Sequence, residues 1–126
     1  MRHLLKDVFS IIDARRVNSV NYSAHRKSIV AVMDVFKNSQ TPLNAAEARV
    51  FILKGVRALN VNNFVRTLYL FGDPTYVVDE YGAIFDSKPW YIKIRIDDDS
   101  DLEIISFHPP EKVLKTASGL LIPKGE

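Results

Sequence analysis

The chain has 126 residues and a formal net charge of +2, with 47% apolar and 25% charged residues. These values are typical of one globular domain, and we expect a single domain over residues 1–126. Cysteine is absent, which excludes disulfides and thiolate catalysis. No apolar run approaches the ~20 residues of a membrane span, and the N-terminus lacks a signal peptide's continuous apolar core. We therefore expect a cytoplasmic protein that does not bind membranes.

The small net charge hides an asymmetry between the two halves of the chain. Residues 1–70 carry 11 Lys/Arg and 4 Asp/Glu, whereas residues 71–126 carry 6 and 11. A basic half can attract nucleic acid, and an acidic half can bind a basic partner. Solvated charges on ordinary helix surfaces explain the same asymmetry, so composition leaves both explanations open.

The first half of the chain has the apolar spacing of α-helices. The first predicted helix begins near Leu4, the second is capped by Ser23, and the third starts at Thr41 and Pro42. Residues 17–22, between the first two helices, are rich in β-forming residues but too few to assign.

A fourth, short helix is predicted close to residue 60. Asn60 or Asn62 can cap it, and its apolar stripe consists of Val61, Phe64, Val65 and Leu68. Arg66 points away from that stripe at helical spacing, which predicts an exposed arginine on a helix surface.

The second half switches to the period of two that is typical of β-strands. Strands are predicted over residues 75–85, 90–96 and 102–107, with a weak strand at 120–122 and a frayed end. In 90–96, Trp90 and the isoleucines form one face, and Tyr91, Lys93 and Arg95 form the other. The acidic residues 97–101 form a hairpin turn. Helices followed by a meander predict an α+β domain, with N-terminal helices packed on a C-terminal, mainly antiparallel sheet.

The register of the last hairpin decides which side chains meet across it. One register places Trp90 opposite His108, which then shares the isoleucine face. The other register, slipped by one residue, places Tyr91 opposite His108 and Lys93 opposite Ser106. Because a slip of one residue exchanges the two faces, the pattern leaves both registers open.

The candidate chemistry lies where the last long strand ends. His108 precedes two prolines, with Tyr91 and Lys93 on the neighbouring strand and Arg66 exposed nearby in the chain. These residue types suit RNA cleavage without a metal, which needs a base for the ribose 2′-OH, an acid for the 5′-oxygen and cations for the phosphorane. Histidine serves as acid or base, arginine and lysine bind phosphate, and tyrosine donates a proton or stacks on a base. Each residue also has a structural explanation. His108 can be a spacer before the prolines, Tyr91 an ordinary cross-strand aromatic, and Lys93 and Arg66 ordinary surface charges.

No metal site or cofactor site is predicted. The three histidines lack metal-ligand spacing, and no phosphate-binding loop or dinucleotide motif occurs. The acidic run at 97–101 lacks the glycine and the downstream glutamate of a calcium loop, so a solvated turn is the better explanation.

Four blocks of the second half carry a family resemblance: "NNFVRTL", "GDPTYVVDEY", "WYIKIRI" and "IISFH". In their order and spacing they resemble the motility quorum-sensing regulator (MqsR) family of toxin–antitoxin RNases, over about residues 60–110. The resemblance implies a RelE-like α+β fold, metal-independent endoribonuclease activity on mRNA, and inhibition by a cognate antitoxin protein. It also favours the register in which Tyr91 lies near His108.

The resemblance can be carried over position by position. Tyr91 matches a family active-site tyrosine, while Arg66 and His108 stand where the family has two functional lysines. Val78 stands where the family has a glutamine. The RNase hypothesis therefore takes His108, Tyr91 and Arg66 as catalytic residues and expects RNA contacts from Lys93, Arg95 and Ser106.

A second hypothesis belongs to a different class. The same fold can serve as a non-catalytic immunity or regulatory module that binds a protein through the acidic hairpin. Growth arrest on overexpression, relieved by a neighbouring gene's product, discriminates against it. A transcription factor is a third possibility, but no reading-helix motif supports it.

Overall fold

The computed structural model describes residues 1–14 and 23–125. Three helices come first, and the long strands follow them. The helices are α1 Leu5–Asp13, α2 Arg26–Val35 and α3 Ala45–Arg57. The strands are β1 Ser23–Ala24, β2 Phe64–Tyr69, β3 Val77–Phe85, β4 Lys88–Ile96, β5 Leu102–His108, β6 Leu114–Lys115 and β7 Leu121–Ile122. The predicted α+β class, with helices N-terminal to an antiparallel sheet, is confirmed; the unassigned residues 17–22 lie outside the described ranges.

The main sheet has five strands in the order β1-β5-β4-β3-β2. Strands β2 to β5 are antiparallel, and the short β1 joins β5 in parallel. Asp86 and Ser87, both at positive φ (54° and 61°), make the two-residue turn between β3 and β4. The helices pack on one face of the sheet, which we call the inner face, and bury Trp90, Ile92 and Phe107 completely. The opposite, outer face carries most of the polar residues of β2 to β5, while Thr67 and Asp79 lie on the inner face in the row of Ile94.

Helix α1 begins where the sequence predicts, whereas α2 and α3 begin later than their predicted start signals. His25, not Ser23, is the N-cap residue of α2, since Ser23 belongs to β1. Helix α3 begins after Asn44, whose side chain and Glu47 form a reciprocal capping box. None of the helices in the described ranges is long and apolar enough to cross a membrane.

The predicted fourth helix is wrong, because these residues form a 3₁₀ turn and the edge strand β2. The pairing of β2 with β3 shifts between Phe64 and Arg66, which makes Val65 a β-bulge. The bulge turns Phe64 inward against Tyr81 and leaves Arg66 on the outer face. An extra residue breaks the period of two, so the apolar positions of this strand imitate helical spacing.

A second bulge resolves the ambiguity of the β4–β5 register. Near the turn Ile96 pairs with Leu102, yet at the far end Tyr91 pairs with His108. The register shifts at Ile105, which is the extra residue on β5. Each of the two predicted registers is therefore correct for part of the hairpin. The bulge lets Ile104 and Phe107, three residues apart, both face the core while His108 faces outward.

The C-terminal tail packs on the outer face through the hairpin of β6 and β7. A Cβ atom on Gly82 would lie 3.0 Å from side-chain atoms of both Leu114 and Ile122, so glycine lets the tail approach this closely without a shift of those side chains. The amide of Ala117 donates to the Phe64 carbonyl at 2.8 Å. The amide of Gly125 donates to the Pro110 carbonyl at 2.9 Å, which joins the end of the tail to the residues that follow β5. The weak strand predicted at 120–122 is observed as β7.

Candidate active site

An open cavity of about 480 Å³ lies between the outer face of the sheet and the C-terminal tail. Its volume is in the range of small-molecule binding sites. The lining comprises Val65, Arg66, Glu80, Tyr91, His108, Glu111, Lys112, Val113, Leu114 and Lys115. All three residues predicted to be catalytic, namely Arg66, Tyr91 and His108, thus line one cavity. We call Arg66, Glu80, Tyr91 and His108 the Glu80 cluster.

Glu80 lies at the centre of this cluster and is almost completely buried. Its side chain is 5% exposed, whereas that of its cross-strand neighbour Arg66 is 62% exposed. Arg66 Nε donates to Glu80 Oε1 at 2.9 Å. The terminal guanidinium nitrogens of Arg66 have no hydrogen bond within the described part of the chain. The predicted exposure of Arg66 is confirmed, and these nitrogens are available to an anion in the cavity.

Tyr91 holds the other oxygen of the same carboxylate. The Tyr91 hydroxyl donates to Glu80 Oε2 from the neighbouring strand. Burial of the Tyr91 ring raises the pKa of its hydroxyl, and the hydrogen bond to Glu80 raises it further. The hydroxyl therefore stays protonated at neutral pH and fixes the carboxylate from the side opposite Arg66.

His108 stacks beside Tyr91 with one nitrogen free. The two ring centroids are 5.1 Å apart, with the rings inclined by 35°. His108 Nδ1 lies 2.8 Å from the Pro109 carbonyl oxygen, and because a carbonyl only accepts, Nδ1 carries the hydrogen. Nε2 has no hydrogen-bond partner among residues 1–14 and 23–125. The backbone that ends β5 thus orients the imidazole and leaves Nε2 for a ligand.

Two of the three predicted RNA contacts lie beside the cavity on the outer face. Lys93 pairs with Ser106 across β4 and β5, in the row of the sheet that also pairs Arg66 with Glu80. The ammonium of Lys93 lies 5.7 Å from the centroid of the Tyr91 ring. Neither Lys93 nor Ser106 belongs to the cavity lining.

The third predicted RNA contact, Arg95, belongs to a different group, which we call the Glu103 cluster: His25, Tyr76, Arg95 and Glu103. Glu103 accepts from His25 Nε2 at 2.7 Å, from Arg95 Nη1 at 3.2 Å and from the Tyr76 hydroxyl at 3.3 Å. The Arg95 guanidinium carbon lies 4.2 Å from the Tyr76 ring centroid, and its side chain is only 12% exposed. These contacts join the start of α2 to the sheet, and they leave Arg95 little access to a ligand.

Glu80 is a site residue that the sequence pattern did not identify. A carboxylate inside a strand whose neighbours are buried needs a partner, because an unpaired buried charge is costly. That signal is present in "VVDEYGA". Helical spacing assigns its partner Arg66 to a helix, however, so the sequence does not predict the pairing of β2 with β3. The tail residues Glu111, Lys112 and Lys115 were also missed, since they lie beyond the segment that carries the family resemblance.

Comparison of the chain with family models, with curated proteins and with solved structures gives no match. The functional assignment therefore depends on the geometry of the Glu80 cluster and on the sequence blocks described above.

Proposed function

We propose that this protein is a metal-independent endoribonuclease that cleaves mRNA in the cavity of the Glu80 cluster. The observation that carries the proposal is the convergence of a carboxylate, an imidazole, a guanidinium and a phenol on one cavity. These four groups supply the base, the acid and the electrostatic stabilisation that transfer of a phosphoryl group to the ribose 2′-oxygen requires.

The geometry suggests a separate role for each group. Glu80 accepts the proton of the ribose 2′-OH, and the 2′-oxygen attacks the adjacent phosphorus. Protonated His108 donates its Nε2 proton to the departing 5′-oxygen as the P–O5′ bond breaks. The products are a 2′,3′-cyclic phosphate and a free 5′-hydroxyl, and exchange with water restores both groups. Arg66 stabilises the charge on the phosphorane through its terminal nitrogens, while Tyr91 fixes the Glu80 carboxylate.

The direct test compares the central carboxylates of the two clusters. Wild type, Glu80→Gln and the matched control Glu103→Gln are incubated in EDTA with an RNA that contains single-stranded loops. We expect cleavage by wild type and by Glu103→Gln, and a loss of roughly 10²- to 10⁴-fold in Glu80→Gln. Cleavage products that end in a 2′,3′-cyclic phosphate identify the reaction. Equal activity of the three proteins, or no activity of the wild type, would refute the proposal.

The biological part of the proposal is that the protein acts as the toxin of a type II toxin–antitoxin pair in the cytoplasm. The resemblance to the MqsR family supports it. Induced expression should arrest growth, and Glu80→Gln should relieve the arrest at equal protein level. Co-expression of an adjacent small gene should also relieve it. Growth that continues under strong expression of an active wild-type enzyme would separate the RNase activity from the toxin role.

The non-catalytic binding module receives no comparable support. Asp97 of the acidic hairpin accepts the amides of Asp99 and Asp101 at 2.9 and 3.0 Å, so its carboxylate stabilises the turn itself. An inactive wild type that still forms a complex with a neighbouring gene's product would favour that module.

A further inference from the structure

The charges of the Glu80 cluster do not by themselves attract an anion. The positive charge of Arg66 is paired with the negative charge of Glu80 at 2.9 Å, and Tyr91 is neutral. Only protonation of His108 adds a positive charge. An RNA phosphate needs a net positive environment, because the backbone contributes most of the affinity of proteins for nucleic acids.

The C-terminal tail adds the missing charge. Lys112 and Lys115 line the cavity on the side opposite the sheet, together with one carboxylate, that of Glu111. Both lysines are exposed, and neither forms an ion pair with any residue in the described ranges. The tail therefore changes the formal charge of the cavity from zero to +1 with His108 neutral.

The tail holds Lys115 in a defined position. Its neighbours in sequence, Leu114 and Thr116, are 8% and 3% exposed, so the backbone on both sides of Lys115 is anchored. The Thr116 amide donates to the Leu120 carbonyl at 2.8 Å, and the Ser118 hydroxyl donates to the Asn62 carbonyl at 3.0 Å. A cation on an anchored hairpin loses less conformational freedom on binding than one on a loose terminus.

We propose that Lys112 and Lys115 form a phosphate-binding subsite for the RNA backbone, adjacent to the cleaved phosphate. This inference rests on the proposed RNase function. It makes the C-terminal tail a wall of the active site, in which the sheet supplies the acid and base and the tail supplies cations. The subsite reads no sequence, since both lysines contact the backbone phosphate that every nucleotide carries.

The experiment separates binding from cleavage. The probe is a short single-stranded oligonucleotide in which every 2′-OH is methylated, because it keeps its phosphates but lacks the attacking hydroxyl. Its dissociation constant is measured over a series of salt concentrations for wild type, for the double variant K112Q/K115Q and for the control K124Q. Lys124 lies exposed on the same tail but outside the cavity lining.

We expect K112Q/K115Q to bind on the order of tenfold more weakly at low salt, since two charge-assisted hydrogen bonds to phosphate are removed. The slope of log affinity against log salt should fall by about 0.7 for each phosphate that no longer binds a lysine. K124Q should match wild type in both quantities. In cleavage assays the double variant should raise KM more than it lowers kcat, unlike Glu80→Gln, which lowers kcat.

Two results overturn the inference. In the first, K112Q/K115Q keeps the affinity and salt slope of wild type, which leaves the RNase function intact but removes the subsite. In the second, K124Q weakens binding as much as the double variant, which indicates a diffuse effect of charge. Failure of the RNase function is seen separately, as a wild type that binds the methylated probe but cleaves no RNA.

Discussion

The fold brings the same four residue types together twice. The Glu80 cluster and the Glu103 cluster each contain one glutamate, one arginine, one tyrosine and one histidine. In the Glu103 cluster the carboxylate accepts from all three partners, and its arginine is 12% exposed. In the Glu80 cluster the carboxylate accepts from two partners, the arginine is 62% exposed, and the histidine stacks on the tyrosine without contacting the carboxylate.

The difference shows that residue types alone do not make a catalytic site. A network whose carboxylate is saturated by its partners and whose arginine is nearly buried stabilises the fold and offers a ligand little. A network with a fixed carboxylate, an open guanidinium and an unpartnered imidazole can transfer protons to and from a substrate. The Glu103 cluster is therefore a matched internal control for the Glu80 cluster, and pairs of variants can test the distinction.

The histidine pair should give the largest contrast. His108→Ala removes the proposed acid, and we expect cleavage to fall roughly 10²- to 10⁴-fold. His25→Ala removes a donor to Glu103 and should leave the rate per folded molecule unchanged. Single-turnover cleavage of a fluorescent RNA, with circular dichroism to measure the folded fraction, checks both. A rate that falls equally in the two variants would abolish the distinction between the clusters.

The tyrosine pair should differ less. Tyr91→Phe removes the hydroxyl that fixes Glu80 Oε2, and we expect the rate to fall roughly 10- to 100-fold, less than for loss of a direct transition-state donor. Tyr76→Phe leaves Glu103 with two donors and should cleave like wild type. Rates measured at saturating RNA distinguish this positioning effect from weaker binding. Wild-type cleavage by Tyr91→Phe would show that Glu80 does not need that hydroxyl.

For the arginine pair we compare the free energy of unfolding, and here the variant of the Glu103 cluster should show the larger loss. Arg95 packs on Tyr76 and is nearly buried, so Arg95→Ala should lower the free energy of unfolding by about 2 kcal/mol. Arg66 is mostly exposed and lines an open cavity with Glu80, so in Arg66→Ala water can replace the lost donor to the carboxylate, and we expect a cost of about 1 kcal/mol. Urea denaturation followed by Trp90 fluorescence provides both values. A larger loss for Arg66→Ala would assign the structural role to the Glu80 cluster.

Raising the pH above about 10 should give the smallest effect, a modest fall in the free energy of unfolding. Burial raises the pKa of both Tyr91 and Tyr81 above the ordinary value near 10, and neighbouring carboxylates raise it further. The folded state thus keeps these protons longer than the unfolded state, so their stabilising contribution is complete below about pH 10 and declines as the pH rises through the folded-state pKa. For Tyr91 the decline is about 1 kcal/mol between pH 10 and 11. Tyr91→Phe should lose less stability over that interval than wild type, and equal losses would contradict the buried hydrogen bond to Glu80.

Much of the fold was predictable from local pattern, while the site was predictable only in part. Helical spacing identified the three helices, and the period of two identified β4 and β5. The bulges at Val65 and Ile105 were not predictable, because an extra strand residue breaks the period on which the assignment depends. Tyr91, His108 and Arg66 were identified from residue chemistry and resemblance, although Arg66 was placed on the wrong kind of element.

By itself, the sequence determined the order of helices and strands and supplied candidate residues with the right chemistry. Only the tertiary structure decided which of those residues meet. Glu80 pairs with Arg66 because two strands with a bulge lie side by side, and Lys115 faces the cavity because Gly82 lets the tail approach. It also decided that Arg95 belongs to a closed network. Such outcomes depend on contacts between residues far apart in the chain, which local periodicity does not encode.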